Sequence, residues 1–208
     1  MGNNNSIMTL STFFKTLADV FDGDLDIERI ARKELQSQTG AYDMDHPGGA
    51  LPAPLQEVMR LPDAHPVCAD ILDIAFNWAP PETSSDPLYQ KDSTFKSHVE
   101  LLGPDGLIKS DIVRIGLYGM LSHLEYGLRT HPAEEIFIML AGDCLWKRGD
   151  APYSLLTVNG RSHHPSYLPH ATKTQSNAFM SVYVWHGDLS TNQYVYTGHP
   201  ADPAPTMI

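Results

Sequence analysis

Basic residues are scarce in this 208-residue chain: 14 Lys+Arg stand against 25 Asp+Glu, a formal charge of −11 at pH 7. A surface of that sign repels nucleic-acid phosphates and the anionic face of a membrane, so the expected partner is a small molecule, with neither nucleic acid nor a membrane involved. Cysteine is almost absent. The two thiols, Cys68 and Cys144, make no disulfide framework and read as free core residues. No apolar run reaches the roughly 20 residues that span a bilayer. The N-terminal residues also lack the basic start and small-residue cleavage site of a secretory signal, which leaves a soluble, cytoplasmic protein as the expectation. Apolar residues, by contrast, make up 42% of the chain, ample for a buried core.

The opening "MGNNNS" places Gly2 and Ser6 as an N-myristoylation signal would. One acyl chain anchors a protein only marginally, and no basic cluster follows, so residues 1–8 read as a polar disordered tail.

Beyond the tail the chain divides in two. Residues 9–95 carry helical patterns. Leu10, Phe13, Phe14, Leu17 and Phe21 recur at spacings of three and four and form one stripe, stopped by Gly23. Further helices are expected from Asp26 to Gln36, from Pro54 to Arg60, and from Val67 to Trp78 with Val67, Ile71, Ile74 and Ala75 inward. The Gly- and Pro-rich stretches "TGAYDMDHPGGALPAP" and "APPETSSDP" read as loops.

Residues 96–208 read as the second part, and from about Leu107 the period changes to two. "IVRIGLYGML", "EIFIMLAG", "DCLWKRG", "YSLLTVNG" and "MSVYVWHGDL" are strand candidates separated by tight turns such as Asn159–Gly160. The expected fold is α+β and mainly β: a helical N-terminal section packed on a small β-barrel, in one compact unit.

The stretch "RTHPAEEIFIMLAG", residues 129–142, poses the chemical question. On a strand His131, Glu135, Phe137 and Met139 share one face, while Ile136, Ile138 and Leu140 share the other. Both faces are largely apolar. A carboxylate buried there without a partner costs several kcal/mol, so Glu135 needs a cation, and a divalent metal shared with His131 would supply one. "GRSHHPSYLPHATKT" offers a third ligand in His170. Two imidazoles and a carboxylate with an open position are what catalytic zinc and non-haem iron sites use.

The two segments together resemble the cupins. The first cupin motif, two histidines one residue apart, then glutamate and glycine, is matched from His131 through Glu135 to Gly142. The second is matched by Gly160, Pro165 and His170. Within the cupins, "HPAEEIFIMLAG", "YLPHATKT" and "YVWHGDLS" resemble the dimethylsulfoniopropionate lyases of the DddQ and DddL kind, which also carry a helical section before a jelly-roll barrel. The close resemblance covers about Tyr126 to Ser190. It implies a carbon–sulfur lyase acting as monomer or homodimer, with one divalent metal (zinc or iron(II), then manganese) on His131, Glu135 and His170. It further implies Tyr126 as the base and Trp185 as an aromatic wall.

Two departures stand out. Arg129 replaces the family's first histidine and cannot ligate a metal. Phe137 replaces a tyrosine that touches the metal in several relatives, which leaves Tyr126 as the favoured base. Arg129 suits a substrate carboxylate, while Phe137 and Trp185 offer ring faces to a sulfonium. Strict alternation puts Tyr126 and His131 on opposite faces, so a bulge near Gly127 is required. His123, His163, His164 and His186 read as surface or packing residues, with His163 and His164 as reserve bases. The same ligand set also suits an iron-dependent dioxygenase or an isomerase, and a cupin that only binds its ligand is the third reading.

Overall fold

The computed structural model describes residues 10–39 and 49–200. The tail 1–8 and the centre of the first Gly/Pro loop lie outside them. α1 (Leu10–Ala18) buries Leu10, Phe13, Phe14 and Leu17, the stripe its spacing dictates. α2 (Asp26–Gln36) carries Asp26 and Glu28 in its first turn and Lys33 in its last, each sign at the end where the helix dipole favours it. α3 (Ala53–Met59) has Pro54 in its first turn, where no backbone donor is missed.

α4 (Val67–Asp73) ends before the expected Trp78. Ile74 is extended (φ −101, ψ 128), and from there Phe76 and Trp78 are buried while Ala75 and Asn77 are exposed, a period of two. Phe76 packs on Phe13 and meets Trp78 edge to face, so aromatic packing against the helices overrides continuation of α4. α5 (Pro87–Lys91) falls at the end of the expected second loop. The Asp86 carboxylate caps it, accepting from Leu88 N at 2.8 Å and Tyr89 N at 3.0 Å.

The strands are β1 (Lys96–Gly103), β2 (Ile108–Lys109), β3 (Val113–Met120), β4 (Glu125–Thr130), β5 (Glu134–Gly142), β6 (Cys144–Arg148), β7 (Ser154–Leu156), β8 (Arg161–His164), β9 (His170–Lys173), β10 (Phe179–His186) and β11 (Val195–Gly198). They form a six-stranded sheet in the order β2-β1-β3-β10-β5-β8 and a five-stranded sheet in the order β11-β4-β9-β6-β7. The expected barrel is thus two facing sheets, each with open edges.

The six-stranded sheet separates two cores. Leu117, Ile136, Ile138, Leu140, Val182 and Val184 point outward into the helical layer. Tyr118, Phe137, Met139, Tyr183 and Trp185 point inward and meet Tyr126, Trp146 and Tyr196 of the other sheet. Arg161 fastens the layers together: its Nε lies 3.2 Å from both oxygens of Glu28, a residue only 1% exposed, and it also contacts Asp22. Gly142, which ends β5, has φ +69, and a Cβ there would lie 2.0 Å from Ala178 O. Glycine is required on both counts. Cys68 and Cys144 are free and buried.

Candidate functional site

Register builds the site around Glu135. Trp185 and His164 stand directly opposite it on β10 and β8, so their inward side chains form a row across three strands. Trp185 Nε1 donates to Glu135 Oε1 at 2.6 Å, and His164 Nδ1 donates to Oε2 at 2.9 Å. Oε2 also faces His131 Nε2 at 3.4 Å and His170 Nε2 at 3.1 Å. His131 comes from the β4–β5 turn, and His170 opens β9.

The two turns fix the tautomers. His131 Nδ1 lies 3.1 Å from Ala133 O and His170 Nδ1 lies 2.8 Å from Leu168 O, so each δ nitrogen donates and each ε nitrogen keeps a lone pair. Among the described residues neither Nε2 has a hydrogen-bond partner, although both are buried. Two lone pairs thus face a carboxylate oxygen, a repulsive arrangement that a cation relieves. Ligand atoms of His131, Glu135 and His170 lie within 4.8 Å of one another. The donor set and its geometry fit a divalent metal ion.

Protonation agrees with that fit. Burial alone raises the Glu135 carboxyl, but the imidazoles of His131, His164 and His170 beside it hold it well below the usual carboxylate range. Burial, then His164 and Arg129, push His170 well below its ordinary value, which keeps it in the neutral form that ligates. Burial lowers His164 to about 4.

Arg129, Tyr126, Phe137 and Trp185 line one cavity of about 670 Å³ that reaches Glu135. Arg129 is 3% exposed. Its guanidinium sits 4.0 Å from the centre of the Tyr126 ring, with only long contacts to Tyr126 O, Gly127 O and Thr172 Oγ1 at 3.4–3.5 Å. Tyr126 pairs with Thr172 and Arg129 with His170, an uneven count that places a bulge at Gly127–Leu128. That bulge turns Tyr126 inward, and Tyr196 Oη pins it by accepting from Gly127 N at 3.0 Å. Burial, then the neighbouring Tyr194, raise the Tyr126 hydroxyl well above its ordinary value, while Arg129 pulls it down.

Two site residues go beyond the sequence reading: His164, expected as a packing residue or reserve base, and Tyr194, which the sequence did not single out. His164 is buried and bonded to Glu135, with its ring stacked on His170 at 4.1 Å and its Nε2 2.8 Å from Ser162 Oγ. Tyr194 hydrogen-bonds Tyr126 through their hydroxyls and lies parallel to the His131 ring at 5.9 Å. The alternation of Ser162 and His164 after a turn was the available sign for His164. Tyr194, in a loop, had none. His163 instead bonds Glu134 at 2.7 Å away from this cluster, and His123 is exposed.

A helical layer on two facing sheets, with a two-histidine, one-carboxylate cluster buried between them, defines a cupin-type protein with a candidate metal centre. Residues 75–181 match the family model for dimethylsulfoniopropionate (DMSP) lyase, and the chain belongs to that family. Over 91 residues it is 37% identical to dimethylsulfoniopropionate lyase DddQ of Ruegeria pomeroyi, a match covering 44% of this chain and 45% of that protein. The chain thus spans under half the length of this curated relative. The crystal structure of DMSP lyase DddQ from Ruegeria pomeroyi superposes with a TM-score of 0.58 at 26% identity, covering 73% of this chain and 80% of that one. A chain from the crystal structures of DMSP lyases RdDddP and RnDddQII shares the fold, with a TM-score of 0.66 at 19% identity over 91% and 97% of the two chains.

Proposed function

We propose that this protein is a metal-dependent lyase that cleaves DMSP to dimethyl sulfide and acrylate by proton abstraction and β-elimination. The observation that carries this function is the cluster of His131 Nε2, His170 Nε2 and Glu135 Oε2, with its unpartnered nitrogens, in a chain of the DMSP lyase family. These three residues would hold one divalent ion, zinc or iron(II) by the mixed nitrogen and oxygen donors, with manganese next. When bound, the ion supplies positive charge for the substrate carboxylate and for the negative charge that develops beside it.

The chain's own residues divide the remaining tasks. Arg129, buried and without a carboxylate partner in hydrogen-bond reach among the described residues, holds the substrate carboxylate from the cavity side. Phe137, Trp185 and the tyrosines around them give the sulfonium ring faces, and the aromatic walls exclude water. Tyr126, as phenolate, takes the proton from the carbon next to the carboxylate. The C–H electron pair becomes the second C–C bond, the C–S pair leaves with sulfur, and neutral dimethyl sulfide and acrylate result. Trp185 and His164 keep Glu135 oriented throughout. The protein would act as a monomer or homodimer in the cytoplasm. Among the described residues no helix is long and apolar enough to cross a membrane.

The test is direct. Purified protein loaded in turn with zinc, iron(II) or manganese is given DMSP, and headspace dimethyl sulfide, acrylate and oxygen uptake are measured. Equal yields of the two products without oxygen uptake are expected, and no dimethyl sulfide from any loaded form would refute the function. Alanine at His131, Glu135 or His170 should each deplete bound metal, and full occupancy in all three variants would remove the proposed centre.

A further inference from the structure

Lys96, the first residue of β1, is 2% exposed and does not line the cavity. Its amino group sits 3.0 Å from the centre of the Tyr126 ring, on the side chain proposed above as the base. Its hydrogen-bond partner is Ser93 Oγ at 3.1 Å. The acid in its field, Asp92, is engaged elsewhere: it accepts from Tyr196 Oη at 2.6 Å and lies 3.4 Å from His199 Nε2. Among the described residues Lys96 forms no ion pair. A lysine buried without a bonded carboxylate is costly.

We propose that Lys96 is a positioning residue for proton abstraction, the buried charge that, with Arg129, lets the Tyr126 hydroxyl give up its proton before substrate is attacked. The proposal rests on Tyr126 being the base. It follows from counting charge. With Lys96, Arg129 and Tyr126 all protonated, two positive charges are buried against one ring, at 3.0 and 4.0 Å from its centre. Releasing one proton lowers that to a single charge. Burial penalises each ion taken singly, so Lys96 sits well below its ordinary range and Tyr126 well above. Once one proton has gone, however, amine plus phenol and ammonium plus phenolate have the same net charge, and they exchange by moving a proton within the cluster. The loss belongs to the pair rather than to either residue.

The other groups that face Tyr126 are tyrosines: Tyr89 and Tyr118, Tyr194 bonded to its hydroxyl, and Tyr196 stacked on it at 5.6 Å. Glu135, the acid across the cavity, is committed to His164 and Trp185. Lys96 is therefore the charge near Tyr126 that can be removed without touching the cavity wall. After elimination the proton on Tyr126 leaves through the Tyr194 hydroxyl.

Two substitutions test the assignment in the zinc-loaded protein. Lys96→Met keeps the stem and removes a buried charge, so the fold and metal content should survive. Lys96→Arg keeps a permanent charge. Tyrosinate absorbance is titrated in each protein, and the same variant carrying Tyr126→Phe is subtracted to isolate Tyr126. In Lys96→Met the Tyr126 transition should rise by about one to three pH units, the displacement expected on losing an adjacent opposite charge. The acid limb of kcat should move with it while KM changes little. Lys96→Arg should restore both. A transition that stays in place in Lys96→Met, or a shift that arginine does not reverse, overturns the proposal. If Lys96→Met does not fold, the arginine variant still decides: a Tyr126 transition raised above the parent's overturns it. The titration needs no turnover, so a protein that proves inactive on DMSP would sink the lyase function while leaving the role of Lys96 to be judged by absorbance.

Discussion

Replacing His164 by Phe separates orientation of the metal ligands from mere packing. Phenylalanine keeps a flat ring for the stack on His170, where the imidazole rings lie 4.1 Å apart and 7° from parallel, so no cavity is opened. Two hydrogen bonds are lost, Nδ1 to Glu135 Oε2 at 2.9 Å and Nε2 to Ser162 Oγ at 2.8 Å. The first is charge-assisted and worth about 1.5–3 kcal/mol. Removing a partner that fixes a metal-ligating carboxylate typically weakens metal binding roughly 10- to 100-fold. That is about 1.4–2.8 kcal/mol at 1.4 kcal/mol per decade, the same interval reached independently. The second loss leaves the buried Ser162 hydroxyl unpaired at a cost of about 1–3 kcal/mol, partly offset by burying an apolar ring. A net loss of about 3 kcal/mol lowers the melting temperature of the metal-free protein by roughly 6–12 °C for a domain of this size. Chelator competition with zinc reads the first quantity and calorimetry the second. A variant that melts lower yet binds zinc within threefold of the parent would refute the orienting role and leave His164 as a packing residue.

Other outcomes follow from the same geometry. Tyr126→Phe should lower turnover by about 10²–10⁴-fold with metal content unchanged; dimethyl sulfide release within a few-fold of the parent would show that Tyr126 is not the base. Arg129→Met should raise KM for DMSP more than it lowers kcat, and an unchanged KM from initial rates would remove Arg129 from carboxylate binding. Acid should destabilise the fold through His98, which bonds Tyr183 Oη at 2.8 Å and is pushed down to about 4, first by burial and then by Arg114. Because the folded value lies below the unfolded one, near 6.5, stability is full above pH 6.5 and falls as the unfolded chain gains a proton down to about pH 4, by up to about 3 kcal/mol. His98→Gln should flatten denaturant midpoints across that window, and an identical pH slope in parent and variant would contradict the assignment.

What could be read in the sequence was what repeats locally. The Leu10–Phe13–Phe14–Leu17 stripe and the alternation along "EIFIMLAG" each follow from one short segment, and β5 divides its faces as alternation requires. The two histidines and the glutamate that meet at the site sit in segments with recognisable spacing. His164 reads in the sequence only as a packing residue or reserve base, because its pairing with Glu135, 29 positions away, depends on a register that no local pattern fixes. Lys96 and Tyr194 act through contacts 30 and 68 positions distant from Tyr126 (126 − 96; 194 − 126). The strands β4, β8, β9 and β11 are short and polar, and their alternation drowns among turn residues. The early end of α4 reflects tertiary packing of Phe76 and Trp78 that helix propensity does not encode.

The alternation of β5 has a consequence for how this scaffold can diversify. From Ile136 to Leu140 its even-numbered side chains belong to the helical core and its odd-numbered ones to the barrel interior, so that stretch is a partition with separate tenants on each side. Exchanges at Phe137 can reshape the chamber without touching the helical core, which Ile136, Ile138 and Leu140 fill from the other side. A library at Phe137, with Glu135 kept, should therefore sample new substrates while most variants still fold, and one at Ile136, Ile138 and Leu140 should lose folded protein instead.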